Sequence, residues 1–170
     1  GDAMRTIRHG YADAVLVVGA DDCLNRVNLA VNSTLGALAP GFADEPSRAC
    51  RPFDRARSGF VMSAGAAALL VESEEHARNR GASILGEIAG YGVSSDAYHP
   101  TAPRPDGGGA IAAMRAALDD ARIPAVEVDH VNAHGTGTPL NDEMEAGALR
   151  AVLGDAAGSV PVTSTKSTTG

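Results

Sequence analysis

Short apolar runs that break into glycine-containing polar loops, with amphipathic helices between them, set the strongest limit on what this chain can fold into. Ala14–Val18 (AVLVV) is uninterrupted and ends at Gly19, and Ala66–Val71 (AAALLV) is a second such run. A run without alternating polar positions suits a strand covered on both faces, as in a sheet lying under helices. The helical signals are local. Asp2 to His9 carries Met4 and Ile7 on one face and meets Gly10 as a stop. Ser73 precedes Glu74 and Glu75, Arg78 and Arg80 lie toward the other end, and Gly81 follows, which is a capped helix with charges matched to its dipole. Ala110 to Arg122 spaces Ile111, Met114 and Leu118 helically, and Asn141 reads as the cap of a helix carrying Met144, Leu149 and Val152. Val126–Asn132 reads as a strand, Ser83–Tyr91 as a strand by its alternation, and Val160–Thr163 as the start of another. Residues 32–59 and 94–109, rich in Pro and Gly, read as loops. Strands alternating with helices give an α/β class with a largely parallel or mixed sheet.

Composition narrows the function. The 170 residues are 44% apolar and 21% charged, enough for a hydrophobic core. A net charge of −7 repels phosphate backbones and argues against nucleic acid as a partner. No stretch approaches the ~18 apolar residues a membrane helix needs. Two cysteines are too few for a disulfide framework and suit a reducing compartment, so a cytoplasmic location is expected.

Two segments carry candidate chemistry. In Val131–Asp142 (VNAHGTGTPLND) an apolar strand runs into a turn holding His134, Gly135, Thr136, Gly137 and Thr138. Ligands of α/β sheets gather at the carboxyl ends of strands. A His there can donate to a developing oxyanion or move a proton, and Thr hydroxyls can bond a ligand's amides. The competing reading is a polar loop with one structural His. In Val162–Gly170 (VTSTKSTTG) a strand again ends in a polar loop, with Lys166 among small hydroxyl residues, which suits a buried hydrogen-bonded Lys; the alternative is a solvated surface charge. The Gly-rich lead of a phosphate-cradling loop is missing. His9, His76, His99 and His130 are weaker candidates and no Cys-x-x-Cys is present, so no metal is expected. Cys23 follows Asp21 and Asp22, which oppose thiolate formation, and Cys50 lies in a Pro-rich stretch; neither reads as a nucleophile.

Together these segments resemble the β-ketoacyl-acyl-carrier-protein synthases, the ketosynthases of fatty-acid and polyketide assembly. VNAHGTGTPLND and STKSTTG are similar to that family's first active-site His motif and its active-site Lys motif. CRPFDRARSGFVM at 50–62, YGVSSDAYHPTAP at 91–103 and GDAMRTIRHGYADAVLVVGADD at 1–22 match further stretches in the same order. The resemblance implies a thiolase-like αβαβα layered fold, here in part: residues 1–81 from the end of the N-terminal half and 82–170 from the start of the C-terminal half. It implies a decarboxylative Claisen condensation of an acyl thioester with malonyl-carrier protein. His134 would stabilise the enolate, Lys166 would hold the surrounding polar network, and Thr136 and Thr138 would bond the phosphopantetheine arm. The partners implied are acyl carrier protein and a second ketosynthase-like subunit, as a homodimer or heterodimer, and no cofactor is implied beyond the carrier's phosphopantetheine.

The resemblance sets the nucleophilic Cys before Gly1, on the helix whose tail is Gly1–His9, and a second catalytic His after Gly170. These residues alone are therefore expected to be inactive and to expose core surface. One departure stands out. Where the family usually has a Gly-acid-Gly-Ala-Gly string, this chain reads Ser63-Ala64-Gly65-Ala66-Ala67. Loss of that acid leaves open an alternative, a non-condensing partner subunit like the chain-length factors. The complete His-Gly-Thr-Gly-Thr string speaks against a thiolase that uses coenzyme A.

Overall fold

The computed structural model describes residues 1–170. Helix α1 (Asp2–Arg8) buries Met4 and leads into β1 (Ala14–Asp22). Strand β2 (Ala64–Glu72) returns beside β1, antiparallel, in an unbroken register from Ala14↔Glu72 to Asp22↔Ala64. Helix α3 (Glu74–Asn79) starts at the Ser73 cap, whose hydroxyl accepts from the His76 N–H at 3.2 Å. In the second half come α4 (Gly108–Ala121), β3 (Val131–Asn132), α5 (Pro139–Leu153), β4 (Val162–Thr163) and the one-turn α6 (Lys166–Thr169). Strands β3 and β4 pair in parallel with α5 as the crossover between them. The fold is thus mixed: one antiparallel pair and one parallel βαβ unit. No helix is long and apolar enough to cross a membrane.

Several sequence expectations need correction. The apolar runs of β1 and β2 do form strands, but their faces are open: Leu16, Val18 and Leu69 are 64–66% exposed. The layers that would cover them are not supplied by these residues. The densest packing lies instead beneath the β3–α5 turn, at Ala133, Ala148, Leu149 and Leu153. Ser83–Tyr91 alternates as a strand should, but it pairs with no strand within residues 1–170, and its Gly90 lies against α4. Val126–Asn132 narrows to two paired residues, because Pro124 opens a 3₁₀ turn at Ala125–Glu127. Helix α2 (Arg26–Thr34) extends into the stretch read as loop, with the Asn25 side chain accepting from the Asn28 N–H at 3.0 Å. Helix α5 starts at Thr138 rather than Asn141, since Pro139 has the fixed φ and missing N–H that suit a first helical position.

Candidate active site

Parallel pairing brings the carboxyl ends of β3 and β4 out on one side, where α/β sheets hold ligands. His134 follows β3 by two residues and Lys166 follows β4 by three. Their side chains meet, Lys166 Nζ lying 3.4 Å from His134 Nδ1. An ammonium has donors only, so Nδ1 accepts and a neutral ring carries its proton on Nε2. His134 therefore offers an N–H directed away from Lys166. Lys166 itself is held by the strand ends. Asn132 Oδ1 accepts from the Thr165 N–H at 3.1 Å and the Thr165 hydroxyl at 3.2 Å, fixing the entry to α6.

The turn after His134 is shaped by two carboxylates on the first turns of α5. Glu145 accepts from the His134 N–H at 2.7 Å and the Gly135 N–H at 2.9 Å. Asp142, only 1% exposed, accepts from the Gly137 N–H at 3.2 Å through Oδ1 and from the Phe53 N–H at 2.7 Å through Oδ2. Asn141, expected as a cap, donates instead to both acids, at 3.1 and 3.3 Å. On the other side the Ser164 hydroxyl donates to the Gly135 carbonyl at 2.9 Å. Gly135 and Gly137 both have positive φ, and a side chain at either would press into Ser164 or the Gly59 carbonyl. The Thr136 and Thr138 hydroxyls lie 2.8 Å apart and are partly exposed, so they reach solvent from the same turn.

Residues 50–60 complete the site from the first half of the chain. The Gly59 N–H donates to the Gly137 carbonyl at 3.1 Å, and Arg57 donates to the Pro139 carbonyl at 3.2 Å while its Nε stands 3.7 Å from Asp142. The Cys50 thiol donates to the Lys166 carbonyl. Phe53 sits at φ +63, a strained conformation for an aromatic residue, anchored by its N–H on the buried Asp142. Of the four residues named from sequence, His134 meets Lys166 and Thr136 meets Thr138, the two Thr lying on the turn that follows His134. Asp142, Glu145, Ser164, Phe53 and Arg57 were missed. The first two had a readable signal, acids three residues apart in the first turns of a helix that follows a glycine-rich turn; the others reach the site only through tertiary folding.

Among residues 1–170 Lys166 is partly exposed and forms no ion pair. Neither cysteine is primed. The hydrogen bond from the Cys23 thiol to Asp21 pushes its pKa up, and burial does the same for Cys50. A recess of about 310 Å³ lined by Phe53, Arg57, Asp142, Glu143, Ala146 and Arg150 includes neither His134 nor Lys166.

The N-terminal domain of the β-ketoacyl synthases matches residues 1–77, and their C-terminal domain matches residues 85–170. The chain is 45% identical to 3-oxoacyl-[acyl-carrier-protein] synthase 2 of Staphylococcus aureus over its whole length, covering 42% of that protein. It superposes with TM-score 0.95 and 38% identity on a type II PKS ketosynthase solved in complex with its acyl-carrier protein and bound to the hexaketide, over 99% of this chain and 41% of the other. A ketosynthase in complex with its chain length factor, from Xenorhabdus doucetiae, gives TM-score 0.80 at 35% identity, over 99% of this chain and 37% of the other. The chain spans about two fifths of the length of the relatives it matches.

Proposed function

The chain belongs to the β-ketoacyl synthase family, and on that premise we propose that it works as part of a longer β-ketoacyl-acyl-carrier-protein synthase in fatty-acid or polyketide assembly. The observation that carries this reading is the His134–Lys166 contact at the ends of a parallel strand pair, with the His134 turn held by Glu145 and Asp142. In the proposed cycle a Cys thiolate outside these residues takes the acyl group from a carrier thioester and releases the carrier as a thiolate, which takes a proton from water. A malonyl thioester then enters with its carbonyl oxygen against His134 Nε2–H. Its carboxylate leaves as CO₂, and the electron pair of the broken C–C bond passes into an enolate held by that N–H. The enolate carbon attacks the enzyme thioester, the new C–C bond forms, and the Cys leaves as thiolate with the β-ketoacyl chain on the carrier. Because Glu145 and Asp142 fix the turn before substrate arrives, the donor needs no reorganisation when charge develops. Thr136 and Thr138 present hydroxyls for the amides of the phosphopantetheine arm, which belongs to the substrate carrier; no resident cofactor is needed.

The partner is acyl carrier protein, with a second ketosynthase or chain-length-factor subunit completing a cytoplasmic dimer. The junction of the two halves lies near Gly81 and Ala82. The retained His134, Thr136, Thr138 and Lys166 favour the condensing subunit over the non-condensing partner. The test is to supply the full-length protein with an acyl thioester and malonyl-carrier protein and follow CO₂ release together with β-ketoacyl product. Product without prior acylation of a Cys, or no product at all, would overturn the reading.

A further inference from the structure

We infer that Arg8 and Asp120 are a positioning pair that fixes α1, in the N-terminal synthase domain, against α4 of the C-terminal one, separate from the strand-end contacts made by residues 50–60. One guanidinium nitrogen of Arg8 lies 2.9 Å from each carboxylate oxygen of Asp120, and another donates to the Ala89 carbonyl at 2.8 Å. The same Asp120 accepts from the Tyr91 N–H at 2.9 Å. One Arg thus ties α1 to two pieces of chain 81 and 112 residues away in sequence. The segment it grips is itself seated on α4: a side chain at Gly90 or Gly92 would overlap the backbone of Ala117 or Ala113. Tyr91 continues the junction upward, with the Arg5 guanidinium 5.6 Å from its ring centre and Gly1 packed against the ring. The Tyr91 N–H and Arg8 both hold the Asp120 carboxyl below its ordinary range.

Exposed ion pairs are weak on their own, and both side chains here are about two fifths exposed. The function of this one is geometric. It rests on the reading above, in which the acylated Cys sits on the N-terminal side of α1 and His134 in the other domain. Condensation needs the two to meet, whereas decarboxylation at His134 needs only one of them. Releasing α1 from α4 therefore slows the step that joins the two domains.

The test uses the full-length enzyme with Arg8→Met, Arg8→Lys and Asp120→Asn. For Arg8→Met we expect condensation kcat to fall about tenfold, in the range that small misalignments of reacting groups produce. Malonyl decarboxylation without acyl primer should stay within about twofold of wild type, since no catalytic group is lost. Arg8→Lys keeps the charge without the fork and should recover part of the loss. Unchanged condensation in Arg8→Met, or a parallel fall of condensation, decarboxylation and folded fraction, would overturn the inference while leaving the proposed activity intact. An inactive wild-type enzyme would instead overturn the functional reading. If Arg8→Met fails to fold, Arg8→Lys and Asp120→Asn carry the same comparison.

Discussion

Asp142→Asn tests how the His134 turn is held. The carboxylate is 1% exposed and saturated with donors: the Gly137 N–H and the Asn141 amide on Oδ1, the Phe53 N–H on Oδ2. Asparagine has nearly the same shape, but its NH₂ must replace one oxygen. Facing Oδ1 it confronts Gly137 and Asn141; facing Oδ2 it confronts Phe53 and the Arg57 guanidinium at 3.7 Å. Neither flip avoids a donor against a donor. A buried donor left without an acceptor costs about 1–3 kcal/mol. The half-buried Arg57 also loses its charge partner, which brings the expected loss to about 3 kcal/mol. The assay is chemical denaturation of the full-length enzyme, with the exposed neighbour change Glu143→Gln as control, expected to lie within about 0.5 kcal/mol of wild type. Condensation should fall with it, because Gly137 and Phe53 lose their shared anchor. Stability of Asp142→Asn within about 0.5 kcal/mol of wild type would refute the idea that the carboxylate's lone pairs organise the turn.

Two further changes probe the first half of the chain. Ala64 stands directly opposite Asp22 in the antiparallel register, so Ala64→Glu sets two carboxylates face to face. That should destabilise the β1–β2 pair by about 0.5 kcal/mol, and Asp22→Ala in the same chain should remove the penalty, both read by thermal melting. Glu72 takes hydrogen bonds from Arg80 and His76, which hold its carboxyl at about 2 against an ordinary 4.5. A carboxyl lowered on folding stabilises above its unfolded value. Glu72→Gln should therefore lower the melting temperature modestly at pH 7, and the difference from wild type should close as pH falls from 4.5 toward 2. A gap that persists at pH 2 would mean the effect is not ionic.

The site was legible where chemistry and local pattern coincide. His134 and Lys166 each follow an apolar strand end, and parallel pairing of β3 with β4 turns that sequence position into a 3.4 Å contact. Phe53 and Arg57 were not legible, because what defines them is a backbone N–H on Asp142 and bonds to carbonyls about 80 residues away. In the fold, Ser73 fixed the start of α3 by its own capping chemistry. Alternation in Ser83–Tyr91 reports a face, not a partner strand: within residues 1–170 the segment packs on α4 and pairs with no strand. The runs of β1 and β2 were correctly strands, but periodicity cannot say whether the covering layers lie in the same stretch of chain, and here Leu16 and Leu69 stay open.

The most direct test of the proposed chemistry is malonyl-thioester decarboxylation by full-length His134→Ala, measured beside acyl transfer to the enzyme. If His134 Nε2–H stabilises the enolate, CO₂ release is lost by about a hundredfold or more while acylation continues, as expected when an oxyanion donor is removed. Decarboxylation at the wild-type rate in that variant would contradict the account.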